Sequence, residues 1–271
     1  MEEDQATNLK DLERRLARLE LQNRRLREFL VPAFWNALDR LEARTADQTP
    51  VTCLACGRAG PPSDYGVRVD QCMFGGGRLE RLECPVCGCV FGPMKYLNTP
   101  AEIVSADYSL LYSFYSEGDS TEEELRAFES LHPKPGGLYL NWGSGAWSRS
   151  VEILRDRGYD VWGYEPNAMT DSPFVVKRRE EVSARFDGIF CNNVIEHLFS
   201  PREQFLEFRD LLKPAGAMCH ASPCYEWSYA FTRFHVFFPL GRAPEKLAER
   251  SGFKLSHVVD DGAFHARVFS L

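Results

Sequence analysis

The chain has 271 residues, 44% hydrophobic and 26% charged, with a formal net charge of −7. That length allows two small domains or one large one, and the acidic balance argues against a broad nucleic-acid or anionic-membrane face. No apolar run approaches the roughly 18 residues of a bilayer span. The acidic, polar start MEEDQATNLK shows no secretory signal, and nine cysteines in such a chain point to metal ligands and reduced thiols, so a cytoplasmic protein is expected.

Residues 1–45 form the first segment. Leu9, Leu12, Leu16, Leu19, Asn23, Leu26 and Leu30 recur at spacings of three and four, an a/d heptad pattern with Leu9, Leu16, Asn23 and Leu30 at a. Arg15 at g and Glu20 at the following e would attract across a parallel seam, and a lone Asn at a favours dimers. A parallel homodimeric coiled coil is expected, against the plainer reading of one amphipathic helix packed on its own domain. Beyond Pro32 the pattern changes to Phe34, Leu38 and Leu41, which predicts a second short helix.

Residues 46–97 form the second segment. Cys53-Leu-Ala-Cys56 and Cys84-Pro-Val-Cys87 are two C-x-x-C knuckles, each followed by a glycine, Gly57 or Gly88. Four thiolates in that arrangement converge on one tetrahedral ion and leave no open position, which predicts a structural zinc ribbon. Cys72 and Cys89 are left as free thiols, with Cys89 a possible replacement ligand. The ribbon lacks a dense basic cluster and reads as a folding or partner-docking module rather than a nucleic-acid reader.

Residues 98–120 link to a third segment, 121–271, in which strand-like and helix-like stretches alternate as in a parallel sheet covered by helices. Strands are predicted over 137–140, 161–164, 186–191 and 217–221, helices over 148–157, 201–212 and 244–251, with a hairpin at the end. The turn Asn141-Trp-Gly143-Ser-Gly145-Ala-Trp147 lies between a strand and a helix, where glycines let the backbone approach a ligand. Glu165, about 20 residues on at the end of the next strand, suits both ribose hydroxyls of a nucleoside cofactor. A nicotinamide cofactor would want a third glycine near Ser148. After the 186–191 strand, Asn193, Glu196 and His197 are spaced to share one face of a helical turn at the carboxyl edge of the sheet.

LYLNWGSG, GYEPN, FDGIFCNNVIEHLFSPREQFLEFRDLLKPAGAM and PEKLAERSGF, in this order over about 150 residues, resemble the motifs of class I methyltransferases. The resemblance extends to the subfamily that includes sugar, ubiquinone-pathway and small-RNA methyltransferases. The preceding ribbon and DYSLLYSFYSEGD resemble the front end of deoxysugar methyltransferases, whose aromatic residues there help close the active site. The resemblance implies a Rossmann-like α/β domain and S-adenosylmethionine as cofactor, held by Asn141, Gly143, Gly145, Glu165 and Asn192. Asn141 stands where the family usually has an acidic residue, which weakens the expected contact to the methionine amine. The stretch between Glu165 and Phe186 is short, so one helix and strand of the usual fold must be abbreviated there.

An alcohol is a poor methyl acceptor until its proton is removed, and His197 suits the base, with Glu196 orienting it or the acceptor. His235 is the rival base. Some relatives bind magnesium through Glu-x-x-Glu-His and a later histidine; here the first Glu is Asn193, so a magnesium ion shared by Glu196, His197 and His235 is the less favoured variant. The function expected is O-methylation of a sugar hydroxyl, on a bacterial surface glycan or a glycosylated metabolite, with no nucleic-acid partner. RNA 2′-O-methylation and a non-catalytic scaffold carrying a degenerate methyltransferase fold are the alternatives.

Overall fold

A single helix, α1 (Glu2–Thr45), takes up the first segment of the computed structural model, which describes residues 2–45, 50–116 and 118–271. The expected break at Pro32 is not formed. A proline removes one helix N–H and crowds the carbonyl four residues back, but contacts on both sides outweigh that here. Val31 and Pro32 pack on the turn at Gly75, and Trp35 is 1% exposed, its ring 5.3 Å from that of Tyr96. The leucine stripe from Leu9 to Leu30 lies open along the helix, with Leu16 58% exposed.

The second segment contains β1 (Val51–Thr52), β2 (Ala59–Gly60), β3 (Gly66–Gln71), β4 (Arg78–Glu83) and β5 (Val90–Phe91), followed by α2 (Met94–Leu97) and α3 (Ala101–Tyr112). The third begins with α4 (Thr121–Glu129) and continues through β6 (Leu138–Trp142), α5 (Arg149–Asp156), β7 (Asp160–Tyr164), β8 (Val175–Val176), β9 (Phe186–Asn192), α6 (Pro201–Leu211) and β10 (Leu212–Ala221). It ends with β11 (Phe237–Phe238), α7 (Ala243–Ser251), β12 (Lys254–Asp260) and β13 (His265–Ser270).

The main sheet has the strand order β12-β13-β10-β9-β6-β7-β8. Its strands run parallel except β13, which is antiparallel to both β10 and β12 and makes the expected terminal hairpin. The central strands β6 and β9 are almost wholly buried, as strands covered on both faces must be. On one face Leu125 and Phe128 of α4 and Val151 and Leu154 of α5 pack on Tyr139, Val161 and Phe190. On the other, Phe205 and Phe208 of α6 and Leu247 of α7 pack on Leu140, Ile189 and Met218.

The chain runs outward from β6 to β8 on one side, then returns to β9 on the other. A crevice must open at the carboxyl ends of β6 and β9, where the winding reverses. The abbreviated stretch after Glu165 holds only the short β8 and one 3-10 turn among the described residues. It leaves a hollow of about 180 Å³ on the sheet face, bounded by Leu140, Trp162, Val182 and Phe186. A second sheet, β11-β5-β4-β3, takes its first strand from residues 237–238, so the cysteine-bearing segment and the late part of the chain share one sheet.

Candidate active site

The glycine turn after β6 stands at the crevice. Gly143 has φ of 74°, and a Cβ there would meet Val194 Cγ2 at 2.7 Å, so only glycine fits beside the loop that follows β9. Gly143 N donates to Tyr164 O at 2.8 Å, which ties the turn to the end of β7. Ser148, also at positive φ, sits just before α5 and shares a hydroxyl contact of 2.7 Å with Ser144. Glu165 follows β7, and its carboxylate accepts from Asn167 N at 2.9 Å. Asn192, at the end of β9, is 8% exposed, and its Nδ2 finds no hydrogen-bond partner among the described residues.

Asn141 is fully buried. Its Nδ2 donates to Glu124 Oε2 at 2.6 Å and to Ser150 Oγ at 3.0 Å. Glu124 comes from α4 and is 6% exposed; burial pushes its carboxyl above the usual range, against the pull of the Ser150, Asn141 and Ser120 donors. Nothing in the spacing of the Glu122-Glu123-Glu124 run marks this residue, because the helix that aims it ends well before β6.

Beyond β9 the backbone turns at once. The expected single helical face from Asn193 is not formed: the 3-10 turn covers Ile195–His197 only, and Asn193 sits outside it, exposed, with φ of 55°. The reason is a contact with a neighbouring strand: Asn193 N is drawn to Ala221 O at 2.9 Å, at the end of β10. Glu196 and His197 nevertheless reach the crevice, and the late loop brings His235 to them. The ligand atoms of Glu196, His197 and His235 lie within 4.8 Å of one another, and the two imidazole centroids are 4.9 Å apart.

Hydrogen bonds set the tautomers. His197 Nδ1 lies 3.0 Å from the Phe234 carbonyl and 2.8 Å from Tyr108 Oη. A carbonyl can only accept, so Nδ1 carries the proton and Nε2 carries the lone pair. His235 Nδ1 lies 3.1 Å from Tyr229 O, which leaves its Nε2 a lone pair too. Burial, with His197 and Arg81 nearby, pushes His235 well below the ordinary imidazole value, so its ring is neutral. The cluster therefore offers two basic nitrogens and one buried carboxylate, a donor set that suits a zinc- or iron-type ion better than magnesium. Tyr108, on α3, was not singled out by sequence reading; the aromatic run around it was the available signal. Its ring lies 4.6 Å from that of Phe234 and caps the same loop.

The four knuckle cysteines also converge, well away in sequence. Cys53 and Cys87 Sγ are 3.6 Å apart, as are Cys56 and Cys84. Four thiolates about 2.3 Å from a tetrahedral zinc stand roughly 3.8 Å apart, so the residues fit the ion. Twin turns build the set: Cys53 N donates to Arg58 O and Cys84 N to Cys89 O, both at 2.8 Å, with Gly57 and Gly88 at positive φ. Cys89 thus serves its knuckle through its backbone.

The winding of the sheet, the glycine turn and the acidic residue after β7 define a Rossmann-like class I methyltransferase domain. Residues 124–258 match the family model described as a methyltransferase domain, and this part of the chain belongs to that family; the protein is an S-adenosylmethionine-dependent methyltransferase. Among solved structures, the chain is similar to an S-adenosylmethionine-dependent methyltransferase from Mesorhizobium loti, at 15% identity over 55% of this chain and 98% of that one, with a TM-score of 0.42. It is also similar to the 1,6-didemethyltoxoflavin-N1-methyltransferase of Burkholderia thailandensis, at 14% identity over 71% of this chain and 93% of that one, TM-score 0.46. The CalO1 methyltransferase of calicheamicin biosynthesis is 14% identical over 66% of this chain and 60% of its own, TM-score 0.43. No curated protein sequence matches the chain.

Proposed function

We propose that the protein methylates a sugar hydroxyl, on a bacterial surface glycan or a glycosylated metabolite, with His197 as general base. One observation carries this reading: His197, with Nδ1 tied to Phe234 O, sits at the carboxyl edge of the sheet in one cluster with Glu196 and His235, their ligand atoms within 4.8 Å of one another. S-adenosylmethionine supplies an electrophilic methyl group on a sulfonium. Gly143 and Gly145 would admit its amino-acid end, Glu165 would accept from the ribose hydroxyls, and Asn192 would donate into the same crevice. With the cofactor bound, His197 Nε2 would take the proton of the acceptor oxygen as the methyl passes to it and S-adenosylhomocysteine leaves, a contribution of roughly 10²–10⁴-fold in such reactions. Glu196 orients the acceptor or the imidazolium that forms. The rings of Tyr108 and Tyr112 on α3, stacked with centroids 6.2 Å apart, offer apolar faces with polar rims that suit a sugar.

A divalent ion held by Glu196, His197 and His235 is the second reading of the catalytic step, favoured by the convergence of their ligand atoms within 4.8 Å and by the engagement of both Nδ1 atoms with backbone carbonyls, which leaves both Nε2 atoms available. Zinc in the cysteine cluster and a parallel dimer through α1 complete the proposal, in a protein placed in the cytoplasm. No helix among the described residues is long and apolar enough to cross a membrane. Incubation with methyl-labelled S-adenosylmethionine and host extract, followed by identification of the labelled product, tests the acceptor. Label in a sugar supports the reading, and label in RNA or in no product refutes it.

A further inference from the structure

Motif-based reading leaves the cofactor's methionine amine without an acidic partner, because Asn141 occupies the position at the end of β6. The structure fills that gap from another element. Glu124 of α4 lies beneath the glycine turn, and its Oε2 is engaged by Asn141 Nδ2 at 2.6 Å and Ser150 Oγ at 2.5 Å. Its Oε1 accepts only from Ser120 Oγ, at 3.0 Å, among the described hydrogen bonds. A Cβ built on Gly145 would find Glu124 Oε1 at 4.0 Å and nothing nearer, so the carboxylate faces the turn across open space.

A second observation points to a ligand. A carboxylate oxygen only accepts, so Asn141 must turn Nδ2 toward Glu124 and its Oδ1 the other way. That Oδ1 is buried on a residue of zero exposure and has no partner among the described residues. The cluster is short of donors and of positive charge: no lysine or arginine pairs with Glu124 among the described residues, and burial raises its carboxyl. An ammonium group brings three donors and one charge.

We infer that Glu124, with Asn141 Oδ1, receives the ammonium of the cofactor's methionine moiety, the acid having moved from the strand end to helix α4 while Asn141 relays its position. This rests on the cofactor occupying the crevice at Gly143, Gly145 and Glu165. Asn141 is then not a weakened motif residue but the link that holds Glu124 in place.

Calorimetry with two ligands tests it: S-adenosylhomocysteine, which carries the amino-acid end, and methylthioadenosine, which has the same nucleoside and sulfur without it. Glu124→Gln, nearly isosteric, is expected to weaken S-adenosylhomocysteine more than tenfold and leave methylthioadenosine within about twofold, as loss of a charge-assisted contact to one end requires. Adding Asn141→Asp to Glu124→Gln is expected to restore most of the lost affinity by returning the acid to the strand end. Wild-type affinity for S-adenosylhomocysteine in Glu124→Gln would overturn the assignment, and so would equal weakening of both ligands, which marks a structural role. Wild-type protein that binds neither ligand would overturn the crevice itself and the assignment with it.

Discussion

Arg81 on β4 donates to the main-chain carbonyl of His235 at 3.0 Å, from 154 residues away. The same guanidinium donates to Gly92 O at 3.2 Å, Ala230 O at 2.9 Å and Thr232 O at 2.6 Å, and it is fully buried, which lowers its pKa to about 10. The cysteine-bearing segment thereby holds the loop that carries His235.

Arg81→Met keeps much of the volume and removes every donor. Each carbonyl left buried without a partner costs about 1–3 kcal/mol, so the variant is expected to lose at least 3 kcal/mol in denaturant unfolding and to lose methyl transfer with the displaced loop. A variant that melts like the wild type would show that the loop is held by other contacts.

Elemental analysis is expected to find one zinc per chain. Cys84→Ser should remove it and lower the melting temperature by several degrees, because metal binding is folding free energy for a module of this size. Because β11 pairs with β5, the loss should reach the late loop as well. Protein free of zinc with an unchanged melt would contradict the assignment.

In the proposed dimer the exposed stripe of Leu9, Leu12, Leu16, Leu19, Leu26 and Leu30 would face a second copy of the helix. Burying one leucine stabilises by about 1.5–3 kcal/mol, so Leu16→Glu, which puts two charges in the seam, is expected to convert a dimer into a monomer. Light scattering of the full-length protein reads this directly; a monomeric wild type would exclude the coiled coil.

His220 is stacked on Phe205, lies with Nδ1 2.8 Å from Cys191 Sγ, and is held down to about 3 by burial. The unfolded chain takes up that proton near pH 6.5 while the folded chain does not, so the stabilisation is present above about 6.5 and is lost as pH falls toward the folded value. At about pH 5 the loss is roughly 2 kcal/mol. His220→Phe should flatten that part of the pH dependence of unfolding. An equally steep slope in the variant would assign the acid sensitivity to other groups.

The parallel sheet, the glycine turn, the cysteine knuckles and the Glu196–His197 pair were legible in the sequence because each rests on local spacing. The late hairpin was legible for the same reason. What could not be read rests on contacts between distant residues. Pro32 breaks a helix in isolation, but Trp35 against Tyr96 carries α1 past it. Asn193 has the right offset for a shared helical face, but Ala221 O draws its N–H out of the turn. Glu124 and Arg81 look like ordinary surface charges in sequence, and only the packing of α4 and of the second sheet turns them inward.

His197 is proposed to remove the proton from the acceptor hydroxyl as it is methylated. The direct measurement is transfer of labelled methyl from S-adenosylmethionine to the sugar acceptor by wild type and His197→Ala, with S-adenosylhomocysteine affinity measured in parallel. The expected result is a loss of turnover of roughly 10²-fold or more with affinity nearly unchanged. Full turnover in His197→Ala, with turnover abolished in His235→Ala, would contradict it and place the base in the late loop.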